Sequence, residues 1–291
     1  MRKVLVPGGA GFLGKHLVYQ LKDRGYRVFV ADRETDLNHV ERPDVVINLA
    51  GFVGGIEFNR SRPVDLFLQN FMPGMKLLEF AKHWKSKFIQ IGSVCEYPKL
   101  TQVPFLEDHL WNGYPEETNA PYGIAKRSLG VLGNAYANQY GLDYTHIILS
   151  NLYGPGDDFS DSGHVIPGMI RKFSDAKDSV TLWGTGKATR EFLYVEDAAD
   201  GIISMMERYT GTDPVNLGSG EEIYISNLAW KIARLMGYSG EIRWDHEKPN
   251  GQPRRAVDTS KASAYGWCAN TSLDSGLSKT IKSFKESLAN A

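Results

Sequence analysis

The sequence feature that most constrains the fold is a glycine-rich turn between a short apolar run and a helical pattern. Residues 3–6 form an apolar run of the kind found in buried parallel strands. Leu13, Leu17 and Leu21 then recur at helical spacing. A strand, a glycine turn and a helix in this order bring backbone N–H groups to a helix N-terminus, where a dinucleotide pyrophosphate binds. The residues predicted to contact this cofactor are Gly8, Gly11, Phe12, Leu13 and Gly14.

A second strand is predicted over residues 27–31, and it ends at Asp32. A carboxylate at this point hydrogen-bonds an adenosine ribose and repels a ribose 2′-phosphate, so Asp32 favours NAD(H). Arg33 follows directly and would reverse this preference by pairing with the phosphate. The alternative interpretation is that Asp32 only caps a turn. The residues leave the choice between NAD(H) and NADP(H) open.

The alternation of strand and helix patterns continues to about residue 150. Buried strands are predicted at 45–49, 88–92 and 144–149, and long helices at 63–84 and 121–141. This alternation is typical of an α/β fold with a Rossmann-type, doubly wound parallel sheet, which binds ligands at the carboxyl ends of its strands. The predicted ligand-binding residues that follow strand ends are Ala50, Ser93, Asn151 and Leu152.

Beyond residue 150 the alternation loosens, which predicts a smaller C-terminal α/β substrate lobe. We assign residues 1–150 and about 190–217 to a dinucleotide-binding domain. The lobe is then expected to comprise about 151–189 and 218–291.

Three local predictions concern this second half. A turn rich in glycine is expected to pair the strands at 180–183 and 190–195 with each other. Asp197 is expected to cap a helix over 198–208. The C-terminal helix is expected to bury one apolar face, formed by Leu277, Ile281, Phe284 and Leu288.

Tyr122 and Lys126 lie four residues apart in the helix predicted to begin at Pro121. They therefore share one face of that helix, one turn apart. A lysine ammonium beside a phenol stabilises the phenolate and lowers its pKa from about 10 towards the working pH. Such a tyrosine exchanges a proton with a carbonyl or hydroxyl oxygen while a hydride moves at the carbon. The pair, with Ser93 at a strand end, predicts the site of a hydride-transfer reaction.

Charge and cysteine content exclude several classes of partner. There are 33 Lys and Arg residues against 34 Asp and Glu, so neither a nucleic-acid nor a membrane surface is indicated. No apolar run approaches the roughly 20 residues needed to cross a bilayer. Cys95 and Cys268 form neither a disulfide framework nor a metal-binding CxxC motif. A cytoplasmic setting and no metal are therefore expected.

Ser93, Tyr122 and Lys126, together with the glycine turn, resemble the extended short-chain dehydrogenase/reductase superfamily over nearly the whole chain. A narrower resemblance, to the GDP-L-fucose synthase family of epimerase-reductases, rests on separated blocks in the same order. These blocks are Val53–Ile56, Gly92–Lys99, Asn119–Lys126, Asn151–Pro155, His164–Pro167 and Arg190–Phe192. The resemblance implies a GDP-linked 4-keto-6-deoxyhexose as substrate, NADP(H) as the usual cofactor, and a homodimer built on the helices at 63–84 and 122–140.

The resemblance also assigns catalytic roles. Cys95 would act as base and His164 as acid on opposite faces of the sugar ring, inverting the carbons beside the keto group. Ser93 and Tyr122 would hold the enolate oxygen, and Tyr122 would then protonate O4 during reduction. Lys126 would bind the nicotinamide ribose. Outside such a context, a lone cysteine is usually a buried small hydrophobe.

The nucleotide-sugar contacts implied by the resemblance are Lys172, Trp183, Arg190, Asn250 and Arg255. Trp183 would cover a base or sugar and the cations would bind the diphosphate, with core packing as the alternative for Trp183. Asn250 stands where the family commonly has aspartate, and Ala10 where its glycine turn usually has arginine. The missing arginine favours NAD(H), and the departure at Asn250 leaves the sugar, a hexose or a heptose, undetermined.

Three functions follow as alternatives. The first is epimerisation and C4 reduction of a GDP-4-keto-6-deoxyhexose. The second is a 4-ketoreductase or epimerase of a related nucleotide sugar, and Cys95 and His164 argue against simple reduction, which needs neither. The third is a non-catalytic dinucleotide-binding sensor. The intact group of Ser93, Tyr122 and Lys126 argues against a sensor, because a sensor needs no proton relay.

Overall fold

The computed structural model describes residues 1–54, 56–160, 163–248 and 250–289. Its main sheet has six parallel strands in the order β2-β1-β3-β4-β5-β9. These strands are β1 (Lys3–Pro7), β2 (Arg27–Ala31), β3 (Val45–Asn48), β4 (Lys87–Ser93), β5 (Tyr144–Leu149) and β9 (Val215–Leu217). The strand order reverses direction between β1 and β3, and this switch point is where open α/β sheets bind ligands.

Helices cover both faces of this sheet and also form much of the C-terminal lobe. They are α1 (Phe12–Asp23), α2 (Ile56–Ser61), α3 (Pro63–Trp84), α4 (Ala120–Tyr140), α5 (Val165–Asp175), α6 (Val195–Arg208), α7 (Ile225–Met236), α8 (Ser260–Ala264) and α9 (Leu273–Ala289). None of the helices in the described ranges is long and apolar enough to span a lipid bilayer.

Two separate apolar layers enclose the main sheet. On one face, Leu17 and Leu21 of α1 and Ile202 of α6 pack against the strands. On the other face, α3 and α4 supply Leu78 and Leu129. Together the layers bury the sheet on both sides, which explains why its strands read as continuous apolar runs.

The C-terminal lobe has its own core between α5, α7 and α9. Met169, Phe173, Leu228, Ile232 and Phe284 belong to it. The strands around this core are β6 (Asn151–Tyr153), β7 (Ser179–Trp183), β8 (Thr189–Tyr194), β10 (Glu222–Tyr224), β11 (Glu241–Asp245) and β12 (Arg254–Arg255). The domain division drawn from the sequence stays a prediction, and two residues of the lobe segment depart from it: Ala262 and Trp267 pack into the core of the main sheet.

The predicted pairing of β7 with β8 is wrong. β7 pairs in parallel with β11, whereas β8 pairs with β6, β10 and β12. The connecting backbone bonds to other segments: Gly184 N donates to Asp245 O at 2.8 Å, and Ser226 N donates to Gly186 O at 2.9 Å. These bonds direct the two strands into different sheets.

Two helix predictions also need correction. Helix α6 begins at Val195, and its N-terminus has no side-chain cap. The carboxylate of Asp197 instead accepts hydrogen bonds from Thr271 N (2.8 Å) and Thr271 Oγ1 (3.0 Å). On α9, Leu277, Ile281 and Phe284 are buried as expected, but Leu288 is 48% exposed because it lies in the last turn.

Candidate active site

Ser93 and Tyr122 meet where the end of β4 faces the first turn of α4. The Ser93 hydroxyl lies near enough to the Tyr122 phenol to lower its pKa, and it accepts the backbone N–H of Cys95 at 3.3 Å. A Cβ at Gly123 would lie 2.2 Å from the carbonyl oxygen of Cys95. Glycine at this position therefore lets α4 begin directly against the turn that carries Ser93 and Cys95.

Burial raises the pKa of Tyr122, and the nearby charges of Cys95 and Glu96 raise it further. The hydrogen bond from Ser93 acts in the opposite direction. The expectation that Lys126 lowers this pKa below its ordinary value is therefore wrong for the protein alone, because desolvation of the phenol is the larger effect. Tyr122 is held in its protonated form, which is the form that donates a proton.

Lys126 is 3% exposed, and its ammonium group lies 6.0 Å from the centre of the Tyr122 ring. Nζ donates a hydrogen bond to Ala50 O at 3.0 Å, which ties α4 to the end of β3. Burial lowers the pKa of Lys126 to about 8, although the charge of Glu96 acts to raise it. Lys126 thus contacts Ala50, which was predicted from the sequence as a cofactor-binding residue at a strand end.

Cys95 is half-buried and unpaired, and its Sγ accepts a hydrogen bond from Arg255 Nη1 at 3.6 Å. Arg190 is a further cation that interacts with Cys95. Burial lowers the pKa of Arg190 to about 10, and the charge of Arg255 lowers it further, whereas Cys95 acts to raise it. A guanidinium beside the sulfur is placed to stabilise the negative charge of a thiolate. Arg190 and Arg255, predicted to bind a diphosphate, also surround the predicted base.

His164 is the N-cap residue of α5 and is exposed. Desolvation by neighbouring protein atoms lowers its pKa, whereas the charge of Asp158 acts to raise it. The described residues give no direct contact between His164 and Ser93, Tyr122 or Cys95. Its role as the acid stays a prediction.

The glycine turn has close backbone contacts that leave no room for side chains. Gly8 has φ +80°, and a Cβ there would lie 2.9 Å from the carbonyl carbon of Leu49. A Cβ at Gly14 would lie 2.4 Å from Gly8 O. Gly11 begins α1 without a side-chain cap, so the first N–H groups of this helix are available to a phosphate. These residues fit a dinucleotide pyrophosphate.

The other predicted cofactor residues have protein contacts of their own. Phe12 makes an edge contact with the His16 ring, and Leu152 packs against the core of the main sheet. The Asn151 side chain donates to Glu191 O at 2.8 Å. These contacts hold the residues at the strand and helix ends, where a dinucleotide would lie.

Asp32 forms a turn with the residues that follow it. Its Oδ1 accepts from Glu34 N at 3.0 Å and from Thr35 Oγ1 at 2.8 Å, and these bonds lower its pKa. Arg33 lies 5.5 Å from the centre of the Phe52 ring, and Arg62 lies 5.4 Å from the same ring. Arg62 was not singled out from the sequence, because its position before α3 gives no sign that it reaches the end of β3. Part of the block at Val53–Ile56, namely Gly55, lies outside the described residues.

Trp183 is 49% exposed, so core packing does not explain it. The ammonium groups of Lys172 and Lys248 lie 5.5 and 5.3 Å from the centre of its ring. An exposed aromatic ring beside two cations suits a nucleotide. Lys248 is a further residue that the sequence reasoning missed. Asn250 Oδ1 accepts from Thr185 N (2.7 Å) and Thr185 Oγ1 (2.9 Å), which fixes the turn after Trp183.

A Rossmann-type sheet, a glycine turn at its switch point and a Ser–Tyr–Lys group at a neighbouring strand end define an NAD(P)-dependent enzyme of the extended short-chain dehydrogenase/reductase class. The model of the NAD dependent epimerase/dehydratase family matches residues 4–218. The chain belongs to this family. Both the fold class and the family resemblance predicted from the sequence are confirmed.

Similar proteins cover almost the entire chain. A GDP-L-fucose synthase from Sinorhizobium fredii is 36% identical over 304 residues, covering 99% of this chain and 97% of the relative. A solved GDP-L-fucose synthetase from Naegleria fowleri has a TM-score of 0.88 at 27% identity and covers 100% of this chain and 95% of that chain. A GDP-6-OMe-4-keto-L-xylo-heptose reductase from C. jejuni has a TM-score of 0.91 at 24% identity over 98% of both chains, which shows the fold alone.

Proposed function

We propose that the protein catalyses epimerisation and NAD(P)H-dependent C4 reduction of a GDP-4-keto-6-deoxyhexose. One observation carries the proposal: Cys95, whose sulfur accepts a hydrogen bond from Arg255, lies two residues after Ser93, and Ser93 in turn acts on the phenol of Tyr122. Reduction alone needs Ser93 and Tyr122, but it does not need a cysteine beside a guanidinium. The GDP-L-fucose synthases that the chain resembles at 36% identity support the same substrate class.

Epimerisation uses the acidity of the C–H bonds beside a keto group. The Cys95 thiolate removes a proton from one ring carbon, and the electron pair moves to the carbonyl oxygen to give an enolate. Ser93 and Tyr122 donate hydrogen bonds to this oxygen. His164 in its protonated form returns a proton to the opposite face of the same carbon, which inverts it. Proton exchange with water then restores the thiolate and the imidazolium.

Reduction follows at the same oxygen. Reduced nicotinamide, when bound, would supply the hydride that C4 receives. Tyr122 donates its proton to O4 as negative charge develops on this oxygen. The neighbouring ammonium of Lys126 stabilises the phenolate that results. Because burial keeps Tyr122 protonated, the residue enters the step as an acid.

Incubation with GDP-4-keto-6-deoxymannose and NADPH in D2O tests the proposal. We expect deuterium at C3 and C5 of a reduced sugar with the unmodified enzyme. Cys95→Ser should lose this deuterium, whereas Cys268→Ser should retain it, because Cys268 is exposed and contacts Ser263 in α8. Reduction without deuterium incorporation would identify a simple 4-ketoreductase instead.

The cofactor preference we propose is for NADP(H). Two observations support it: the Asp32 carboxylate is engaged by Thr35 and Glu34, and the guanidinium groups of Arg33 and Arg62 both lie against Phe52 at the adenosine end of the sheet. Arg62 also pairs with Asp65 at 2.8 Å, which holds it in place. Two cations at this edge suit a ribose 2′-phosphate.

Fluorescence titration of bound NADPH and NADH measures this preference without any substrate. Arg33→Ala should weaken NADPH binding about 10-fold or more, since a charge-assisted phosphate contact contributes at least about 1.5 kcal/mol, and should leave NADH binding nearly unchanged. Arg60→Ala is the matched control, because Arg60 is an exposed residue of α2. Tighter binding of NADH than of NADPH by the unmodified protein would refute the proposed preference.

A homodimer is the assembly we propose. Val64, Leu68 and Met72 recur every four residues along α3 and are 67%, 47% and 41% exposed. Val131 of α4, 52% exposed, adds to the apolar surface of this helix pair. An exposed apolar stripe on two packed helices suits a second copy of the same pair. A cytoplasmic location stays a prediction, supported by two unpaired cysteines.

A further inference from the structure

A fully buried carboxylate lies directly under the predicted site. Glu96 is 0% exposed, and its Oε1 accepts the backbone N–H of Ser93 at 2.9 Å. Its second oxygen, Oε2, is buried without a hydrogen-bond partner among the described residues. A buried carboxylate with an unpartnered oxygen is costly to the stability of the fold. Its presence calls for a role other than stability.

His146 of β5 approaches the same carboxylate from the sheet. Its Nε2 lies 3.3 Å from Glu96 Oε1, and the histidine is 2% exposed. Two glycines provide the necessary space: a Cβ at Gly92 would lie 2.2 Å from Glu96 Oε1, and one at Gly130 would lie 2.5 Å from His146 Nδ1. The surrounding backbone is thus shaped to hold a Glu–His pair.

Arg127 of α4 holds the backbone of Glu96 by hydrogen bonds. It donates from Nη2 to the main-chain oxygen of Glu96 and from Nη1 to Gly113 O, the latter at 3.2 Å. Arg127 follows Lys126 directly in the helix. The turn that carries Ser93 and Cys95 is therefore fixed through Glu96 to both β5 and α4.

The negative charge of Glu96 also acts on the residues of the proton relay. It raises the pKa of Tyr122 and opposes the lowering of the pKa of Lys126. The titratable and charged groups around Glu96 are His146 and Tyr144 on β5, Tyr122, Lys126 and Arg127 on α4, and Tyr97 on its own segment. Loss of the charge would make both relay residues release their protons at lower pH.

We propose that Glu96, held by His146, is a positioning residue that fixes the Ser93 backbone and places its carboxylate beside Tyr122 and Lys126. The proposal rests on the hydride-transfer function proposed above. Glu96 touches neither substrate nor cofactor in this scheme and acts through its neighbours.

Three variants separate this role from a merely structural one. Glu96→Gln keeps an acceptor for Ser93 N–H and removes the charge. Glu96→Ala removes both the acceptor and the charge. Glu107→Gln is the matched control, because Glu107 is another buried carboxylate, which accepts Asn216 N at 2.9 Å and has no contact with Ser93.

The pH dependence of kcat is the first measurement. Glu96→Gln should retain kcat at pH 7 within about threefold and move the alkaline limb to lower pH by about 0.5–1 unit, because Tyr122 and Lys126 lose the effect of a neighbouring negative charge. Glu96→Ala should lower kcat about 10-fold with little change in KM, since Ser93 N–H loses its partner. Superimposable profiles for Glu96→Gln and the unmodified enzyme would overturn the proposal, as would the same shift in Glu107→Gln.

A second measurement needs no substrate. In protein labelled with 15N-serine, the Ser93 resonance is assigned by its loss in Ser93→Ala. Its amide proton should move upfield in Glu96→Ala and stay nearly unchanged in Glu107→Gln, because only the first loses the N–H···O bond. If no keto sugar is turned over, the proposed function fails while this shift still supports the positioning of Ser93. An unchanged Ser93 resonance in Glu96→Ala refutes the positioning itself.

Discussion

Nη1 of Arg255 lies 3.6 Å from Sγ of Cys95, although 160 residues separate the two positions in the chain. Cys95 follows strand β4 of the main sheet, whereas Arg255 belongs to strand β12 of the C-terminal lobe. The contact therefore joins the predicted base to the predicted substrate-binding segment across the two parts of the molecule.

Arg255→Ala should slow proton abstraction by Cys95 about 10-fold or more, because the thiolate loses its neighbouring cation. The measurement is the initial rate of deuterium incorporation from D2O into the keto sugar. Arg254→Ala is the control, since Arg254 pairs with Glu222 at 2.6 Å on the adjacent, exposed side of the strand. Equal effects of the two substitutions would contradict the assigned role of Arg255.

Tyr122→Phe should lower kcat for reduction by about 10²–10⁴-fold, the range expected when a general acid is removed. Nicotinamide oxidation followed at 340 nm measures the rate. Tyr140→Phe, a substitution at the other end of the same helix, should leave kcat unchanged, because Tyr140 is 52% exposed. Near-normal turnover by Tyr122→Phe would falsify the proton-donor role.

Gly14→Ala should weaken cofactor binding about 10-fold or more and destabilise the fold by about 1–3 kcal/mol, because its Cβ would lie 2.4 Å from Gly8 O and the backbone must move. Isothermal titration with NADPH and thermal unfolding measure the two effects. Gly168→Ala is the matched helical control, since its Cβ would meet Gly163 O at an ordinary 3.8 Å. Unchanged affinity in Gly14→Ala would show that the turn does not receive the pyrophosphate.

Lys126 gives the folding stability a defined dependence on pH. Its pKa is about 8 in the fold and 10.5 as the ordinary value, so the unfolded chain binds more protons between these two pH values. The contribution of Lys126 to stability should therefore rise by up to about 3 kcal/mol between about pH 8 and 10.5, and buried tyrosines such as Tyr97 and Tyr144, whose pKa values are raised by burial, act in the opposite direction near pH 10 in both proteins compared below.

Lys126→Met removes the titrating group and should lack this gain. Urea unfolding of both proteins at pH 7.5 and pH 10.5 measures the difference in unfolding free energy at each pH. A difference that is constant between the two pH values would contradict the burial of a charged Lys126.

Leu68→Glu should convert the proposed homodimer to a monomer, because a charge in the α3 stripe cannot be buried without a partner. Size-exclusion chromatography with light scattering measures the mass. Leu100→Glu is the control, because Leu100 is 83% exposed and belongs to the loop after β4, outside α3 and α4. A monomeric unmodified protein, or a dimeric Leu68→Glu protein, would exclude this interface.

Much of the main sheet was predictable from local patterns. The predicted helix at 63–84 coincides with α3, and the predicted strand at 144–149 coincides with β5. Apolar runs and helical spacing are local signals, so they need no knowledge of distant segments. The pairing of β7 and β8 failed for the opposite reason, because both strands bond to segments that lie far along the chain.

The pKa values of the site residues also could not be predicted from local sequence patterns. The sequence predicted that Tyr122 lies one helical turn from Lys126, and in the structure Nζ of Lys126 lies 6.0 Å from the centre of the Tyr122 ring. The pKa of Tyr122 nevertheless rises, because its burial is a property of the packed turn around Ser93 and Glu96. Glu96 itself was not recognised, although a charged residue within the block Gly92–Lys99 was the available signal.

The sequence alone determined the fold class, the family and the place of the glycine turn and the Ser–Tyr–Lys group, since each depends on residues that are close in the chain. Only the tertiary structure brought Arg255 to Cys95 and His146 to Glu96. Contacts between distant residues depend on how strands pair and helices pack, and the same packing sets burial. Burial, in turn, fixes the protonation of the residues that would carry out the chemistry.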